Sequence, residues 1–137
     1  MSNCRFCDII DGKVLDYKVW EDELFIALLD INPAKEGHLM LIPKKHVEDI
    51  FDLDDSLYQR LFSTAKRLSG PLKIATNAKR IGLVVVGFAV PHAHLHLVPL
   101  HKSNELFDPS LFKRAKPEEL KTMQKKISDE IDKSLGK

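Results

Sequence analysis

Pro91-His92-Ala93-His94-Leu95-His96-Leu97-Val98-Pro99 alternates histidine with apolar residues between two prolines. Strict period-two alternation predicts a β-strand, because successive side chains point to opposite faces. His92, His94 and His96 then line one face, and Ala93, Leu95 and Leu97 line the other, on the core side. At about 3.3 Å per residue, neighbouring histidines stand roughly 6.6 Å apart and the outer two roughly 13 Å apart. A regular strand cannot easily bring all three rings onto one metal ion, so their tasks differ. A solvated polar face would be as well served by Lys or Thr, whereas a row of imidazoles concentrates groups that titrate near neutrality. The stretch reads as a site.

The chain around it has 137 residues, 44% hydrophobic and 30% charged, with a net charge of +1. That describes one globular domain over residues 1–137, large enough to bury a core without staples. No large basic field argues for nucleic acid, and no apolar run approaches a membrane span. With no charged and then apolar leader at the start, a cytoplasmic protein is expected. Its two cysteines, Cys4 and Cys7, are spaced C-x-x-C, which in a reducing compartment suggests metal or redox work.

Read in order, Phe6, Ile9 and Ile10 fit a short helix. Val19-Trp20 and Leu24–Leu29 form a hairpin turned at Glu21-Asp22-Glu23. Asp30-Ile31-Asn32-Pro33 breaks the pattern, Gly37 permits a sharp re-entry, and His38–Ile42 is a strand stopped by Pro43. Asp52 or Asp54 caps a helix bearing Leu57, Tyr58, Leu61, Phe62, Ala65 and Leu68. Gly70-Pro71 is predicted to interrupt that helix, which resumes from Leu72 to Ala75. Ile81–Val90 is the most β-rich stretch and pairs antiparallel with the histidine strand, since too little chain separates them for a crossover. Its Gly82 and Gly87 suggest close approach of a backbone or ligand. Pro117 starts a last helix with Leu120, Met123, Ile127, Ile131 and Leu135 on one face. Five short strands and two or three helices make an α+β domain with a mainly antiparallel sheet.

Cys4-x-x-Cys7, Asp30-Ile-Asn-Pro33, Gly37-His38-Leu-Met-Leu-Ile-Pro43-Lys-Lys-His46 and His92-x-His94-x-His96 occur in one order and at compatible distances. Together they resemble the histidine-triad (HIT) superfamily of nucleotide hydrolases and transferases. The resemblance covers residues 4–99; the extension over 102–137, ending in a helix, is outside it. It implies a HIT-like fold, a homodimer whose two sheets join, and a purine nucleotide or nucleotide conjugate bound beside the triad. By position His94 is the nucleophile that attacks the α-phosphorus of a nucleoside phosphoramidate or dinucleoside polyphosphate, forming a nucleotidyl-histidine that water hydrolyses. His96 holds the phosphate oxygens, His92 orients the network from behind, and His38 completes the pocket. Asp30, with Asn32 in the same turn, matches the carboxylate that grips the ribose. Phe6, Ile9 and Leu28 stand where relatives pack the base. No organic cofactor is implied.

Chemistry supports the assignment. A neutral imidazole is a good nucleophile toward phosphorus when its second nitrogen carries a proton fixed by an acceptor. A second imidazole one strand-step away can be cationic and stabilise the equatorial oxygens. The chain departs from the family before the triad. Where relatives place amide and hydroxyl donors around a glycine turn, it has Gly87-Phe88-Ala89. Only the backbone N–H groups of Phe88 and Ala89 remain to meet the leaving group. That departure favours a second reading, a catalytically weak nucleotide-binding interaction protein. A hydrolytic metal centre built from the histidine row is a third reading, disfavoured by the spacing.

Some bacterial-type members hold zinc with the cysteine pair, the histidine after Pro-Lys-Lys and the first triad histidine. The matching residues are Cys4, Cys7, His46 and His92, a closed structural set of four N/S donors.

Overall fold

The structure, a computed structural model, describes residues 3–106 and 113–136. Five strands form one sheet: β1 (Lys18–Glu21), β2 (Phe25–Leu29), β3 (Leu39–Pro43), β4 (Arg80–Val84) and β5 (Leu95–Leu100). Their order is β1-β2-β3-β5-β4, and every neighbouring pair is antiparallel. The helices are α1 (Arg5–Ile10), α2 (Asp55–Thr76) and α3 (Pro117–Leu135), with a short 3-10 turn at Ile50–Asp52. The α+β, HIT-like architecture expected from the sequence is present. No described helix is long and apolar enough to cross a membrane.

The pleat divides the buried side chains between two faces. Phe25, Ala27, Leu29, Leu39, Leu41, Leu95 and Leu97 pack beneath α2 and α3, while Ile26, Leu28, Met40 and Ile42 face the other way, beneath α1. Both faces of β2 and β3 are therefore covered, which explains why these strands are apolar throughout rather than alternating. The hairpin between β1 and β2 is tied by Asp22, whose carboxylate accepts from Leu24 N–H and Phe25 N–H at 2.9 and 2.8 Å. At Gly37, φ is +88° and an added Cβ would meet Thr76 Cγ2 at 2.5 Å, so glycine alone fits the turn that delivers His38 into β3.

Three expectations change. Helix α2 is unbroken through Gly70-Pro71. Pro71 is buried with Leu61, Leu68 and Leu72, and packing of that apolar face outweighs the lost N–H, a cost of about 3 kcal/mol. Strand β4 ends at Val84, and residues 85–91 are loop despite their valines. Regular ladder in the histidine stretch begins at Leu95, so His92 and His94 precede it in extended backbone, anchored by a bond from Ala93 N–H to the Val47 carbonyl at 2.6 Å. Alternation of faces survives, with Ala93, Leu95 and Leu97 in the core.

Of the C-terminal segment 102–137, residues 107–112 and 137 lie outside the described residues. Helix α3 packs on α2 and β1, burying Leu120, Met123, Ile127 and Ile131. Ser128 Oγ and Gln124 Nε2 donate to the carbonyls of Val19 and Lys18 at 3.2 and 2.8 Å. Replacing fully buried Ile127 by alanine should lower the unfolding free energy by about 2–4 kcal/mol in urea titration. A change below about 0.5 kcal/mol would show that α3 is not part of the core.

Candidate functional site

Four imidazoles crowd the α1 side of the sheet; main-chain groups assign the proton on three of them, and the fourth, His96, is assigned by His38. Ala34 N–H donates to His38 Nδ1 at 3.0 Å. In the neutral ring Nε2 must then carry the proton, and it donates to His96 Nδ1 at 2.8 Å. That leaves His96 with a protonated Nε2 as a donor. His94 Nδ1–H donates to the His92 carbonyl at 2.7 Å, leaving Nε2 with the lone pair. His92 Nε2–H donates to the Pro43 carbonyl at 2.7 Å, leaving Nδ1 as an electron-pair donor.

His94 is only 3% exposed, yet it is not sealed in. Its Nε2 has no hydrogen-bond partner among the described residues, and no fully buried side-chain nitrogen or oxygen among them lacks one. The reactive nitrogen therefore touches solvent. The rings of His94 and His96 lie 4.9 Å apart, centroid to centroid, so a lone pair and an N–H donor stand side by side. Phe6 meets the rings of His94 and His92 edge-on, at 5.0 and 5.9 Å.

Burial sets the charges. It holds His38 and His96 down to about 4, with the neighbouring imidazoles pushing the same way. His96 is thus a neutral donor at physiological pH rather than the cation the sequence allowed. Asp30 begins the turn after β2. Its Oδ1 accepts from Asn32 N–H at 2.9 Å, and its Oδ2 lies 3.6 Å from His38 Nε2 and 4.0 Å from His96 Nδ1. Burial raises its pKa, and the Asn32 N–H and His96 oppose that shift. Donor atoms of Asp30, His38 and His96 lie within 4.8 Å of one another, but both His38 nitrogens are engaged, so a cation would have to displace a hydrogen bond.

The other expected residues separate into two groups. Phe6, Ile9 and Leu28 are buried together between α1 and the sheet, beside the triad. Gly87, Phe88 and Ala89 lie in the loop after β4, with φ of +85° at Gly87. Phe88 is 91% exposed, and no ring contact links it to the histidines. The relay from the Ala34 amide to His38 escaped the sequence, because a backbone donor leaves no residue-type signal.

Cys4, Cys7, His46 and His92 meet at the other end of the triad. His92 Nδ1 lies 3.3 Å from Cys4 Sγ, 3.5 Å from Cys7 Sγ and 3.1 Å from His46 Nδ1, which lies 3.2 Å from Cys7 Sγ. Around a tetrahedral zinc ion, bond lengths near 2.05 Å to nitrogen and 2.3 Å to sulfur imply N···N of about 3.3 Å and N···S of about 3.6 Å. The donor set fits a metal of that size. Without one, burial and the adjacent Cys4 thiol push Cys7 up to about 11. The Pro43 carbonyl behind the His92 ring is the outer partner that orients a metal-binding imidazole.

The histidine relay makes stability pH-dependent. The unfolded chain protonates His38 and His96 near the ordinary 6.5, but the folded protein does so only near 4. Their contribution is intact above pH 6.5 and fades as pH falls toward 4. Between pH 7 and pH 4.5 the pair should remove about 5 kcal/mol, read by urea unfolding. The double variant His38→Gln/His96→Gln should lack that part of the slope; an equal slope in both proteins would contradict the relay.

Comparison with known proteins bears on the whole constellation. A profile of the HIT domain matches residues 12–103. A crystal structure from Sulfolobus tokodaii strain7, described as a hypothetical histidine triad nucleotide-binding protein, superposes with a TM-score of 0.81 at 32% identity, covering 97% of each chain. A Zn-bound histidine triad family protein from Mycobacterium smegmatis shares the fold at TM-score 0.81 and 24% identity, covering 95% of this chain and 94% of that one. Adenosine 5'-monophosphoramidase HNT1 of Saccharomyces cerevisiae is 35% identical over 97 residues, 70% of this chain and 61% of that protein. The matched region holds all five strands, the Asp30 turn and every histidine of both clusters, and the chain belongs to the HIT domain family.

Proposed function

We propose that the protein is a nucleotide-binding hydrolase or transferase acting at the α-phosphate of nucleoside phosphoramidates or dinucleoside polyphosphates. The observation that carries this reading is the bond from His94 Nδ1–H to the His92 carbonyl, which leaves an unpartnered Nε2 beside the N–H of His96. His94 Nε2 attacks the α-phosphorus, and the bond from phosphorus to the leaving group breaks. The His92 carbonyl stabilises the positive charge that develops on the His94 ring. His96 Nε2–H donates to an equatorial oxygen. Water then attacks phosphorus, gives up a proton to solvent, and returns His94 to its neutral form. Asp30 accepts from the ribose hydroxyls, and Phe6 and Ile9, backed by the fully buried Leu28, form the apolar wall for a purine. With no side-chain donor at residues 88 and 89, the leaving group draws its proton from water, and the main-chain N–H groups of Phe88 and Ala89 supply what polarisation there is. The yeast relative's named activity and the Sulfolobus protein's description support this class of substrate.

Zinc is the metal we assign to Cys4, Cys7, His46 and His92. When bound it supplies a closed structural tie between α1 and the segment before β5, and the Mycobacterium protein's Zn-bound state supports the choice. A homodimer is proposed through the free edge of β4, where Leu83, Val85 and Val86 are exposed. We place the protein in the cytoplasm, where free thiols persist.

The absence of side-chain donors around exposed Phe88 favours one alternative, a binding protein with little turnover. One measurement separates the two. Intact mass after mixing with adenosine phosphoramidate should show a protein-bound AMP that maps to His94. The adduct should vanish in His94→Ala while AMP binding persists within about threefold. Wild-type protein that binds AMP and never forms the adduct with any phosphoramidate or dinucleotide would establish the alternative.

A further inference from the structure

We propose that His94 is held in its reactive orientation by the Cys4/Cys7/His46/His92 metal cluster, acting through His92, so that metal occupancy governs the nucleophile more strongly than nucleotide binding. The proposal rests on the functional reading above and deepens it by assigning His92 and Phe6 as positioning residues.

His92 uses every polar group it has. Its N–H donates to the Val90 carbonyl at 2.8 Å, and its carbonyl accepts from His94. Its Nε2–H is held by Pro43, and its Nδ1 faces the cluster. Moving the ring moves the carbonyl that fixes the His94 tautomer. Ladder bonds do not resist that motion, because register between β3 and β5 starts at Leu41 opposite Leu95.

Two further supports of this segment also lead to the cluster. Ala93 N–H is bonded to the carbonyl of Val47, the residue after His46. Phe6, whose ring packs on His94, lies between Cys4 and Cys7 on a helix of six residues. A helix that short holds its place by what tethers it rather than by its own stability. Every described contact that orients His94 from behind therefore sits within two residues of a cluster member or on one. The opposite wall is independent. His38 is held by Ala34, Asp30 by Asn32, and His96 by pairing with Met40 and Val84 in the ladder.

The test compares zinc-loaded protein, chelator-stripped protein and the His46→Ala variant. His46 is exposed and contacts neither His94 nor the ladder, so its removal weakens the cluster with the least disturbance to the fold. Adenylylation of His94 by adenosine phosphoramidate should fall at least ~10-fold in both metal-poor forms, while the AMP dissociation constant by calorimetry, which senses Phe6 and Ile9 on α1 as well as the Asp30 wall, should rise by a clearly smaller factor. The His94 Nδ1–H signal in nitrogen-15 NMR should be sharp when zinc is loaded and should broaden or vanish on stripping. His46→Cys, which restores a fourth ligand, should recover both readouts with zinc. An equal rate and an unchanged signal in stripped protein would overturn the proposal. So would equal loss of adenylylation and AMP binding in both metal-poor forms, since the cluster would then hold up the fold as a whole. If zinc-loaded protein never forms the adduct, the functional reading falls, and the NMR signal still decides the coupling.

Discussion

Main-chain groups decide which nitrogen carries the proton on three of the four clustered imidazoles of this molecule. The Ala34 amide, the Pro43 carbonyl and the His92 carbonyl act on three different rings, and the fourth, His96, takes its assignment from His38. Neutral imidazole exists in two tautomers of similar energy, so an unconstrained cluster would populate many proton arrangements. Backbone donors and acceptors do not titrate. They reduce the set to one, with His94 offering a lone pair and His96 offering a proton to the same space.

Burial supplies the second half of that constraint. Enclosure between α1 and the sheet holds His38 and His96 down to about 4, so the relay stays neutral across the physiological range. A cationic ring in this row would repel a protonated neighbour and break the single-file order of donors. The neutral arrangement leaves directional N–H bonds in place. Asp30 favours protonation of His96 and is too weak to reverse the effect of burial.

Two faces of one sheet divide the labour. The face beneath α2 and α3 is filled with leucine, isoleucine and phenylalanine and supplies most of the stability. The other face is closed by a helix too short to support itself, and that is where the histidines, the carboxylate and the cysteines collect. Stability located on one side permits a polar arrangement on the other.

Much was legible in the chain. Alternation in Ala93, Leu95 and Leu97 against His92, His94 and His96 put the right side chains on opposite faces, and the apolar spacing of Leu120, Met123, Ile127 and Ile131 placed α3. Spacing singled out only Cys4 and Cys7; that His46 and His92 join them was implied by the family likeness alone, and the structure brings the four together. These features are local or periodic, and side-chain periodicity survives folding. What the chain could not show depends on distant backbone. Pro71 stays helical because its neighbours bury a continuous face, and the valines after Val84 leave the sheet because β5 has ended its pairing there. The proton on His38, His92 and His94 follows from amides and carbonyls two to forty-nine residues away, and that on His96 from His38, which no residue type announces. Sequence determined which groups would meet; only tertiary structure decided which nitrogen of each would be free, because a hydrogen bond to the main chain depends on where the chain goes and not on what it is made of.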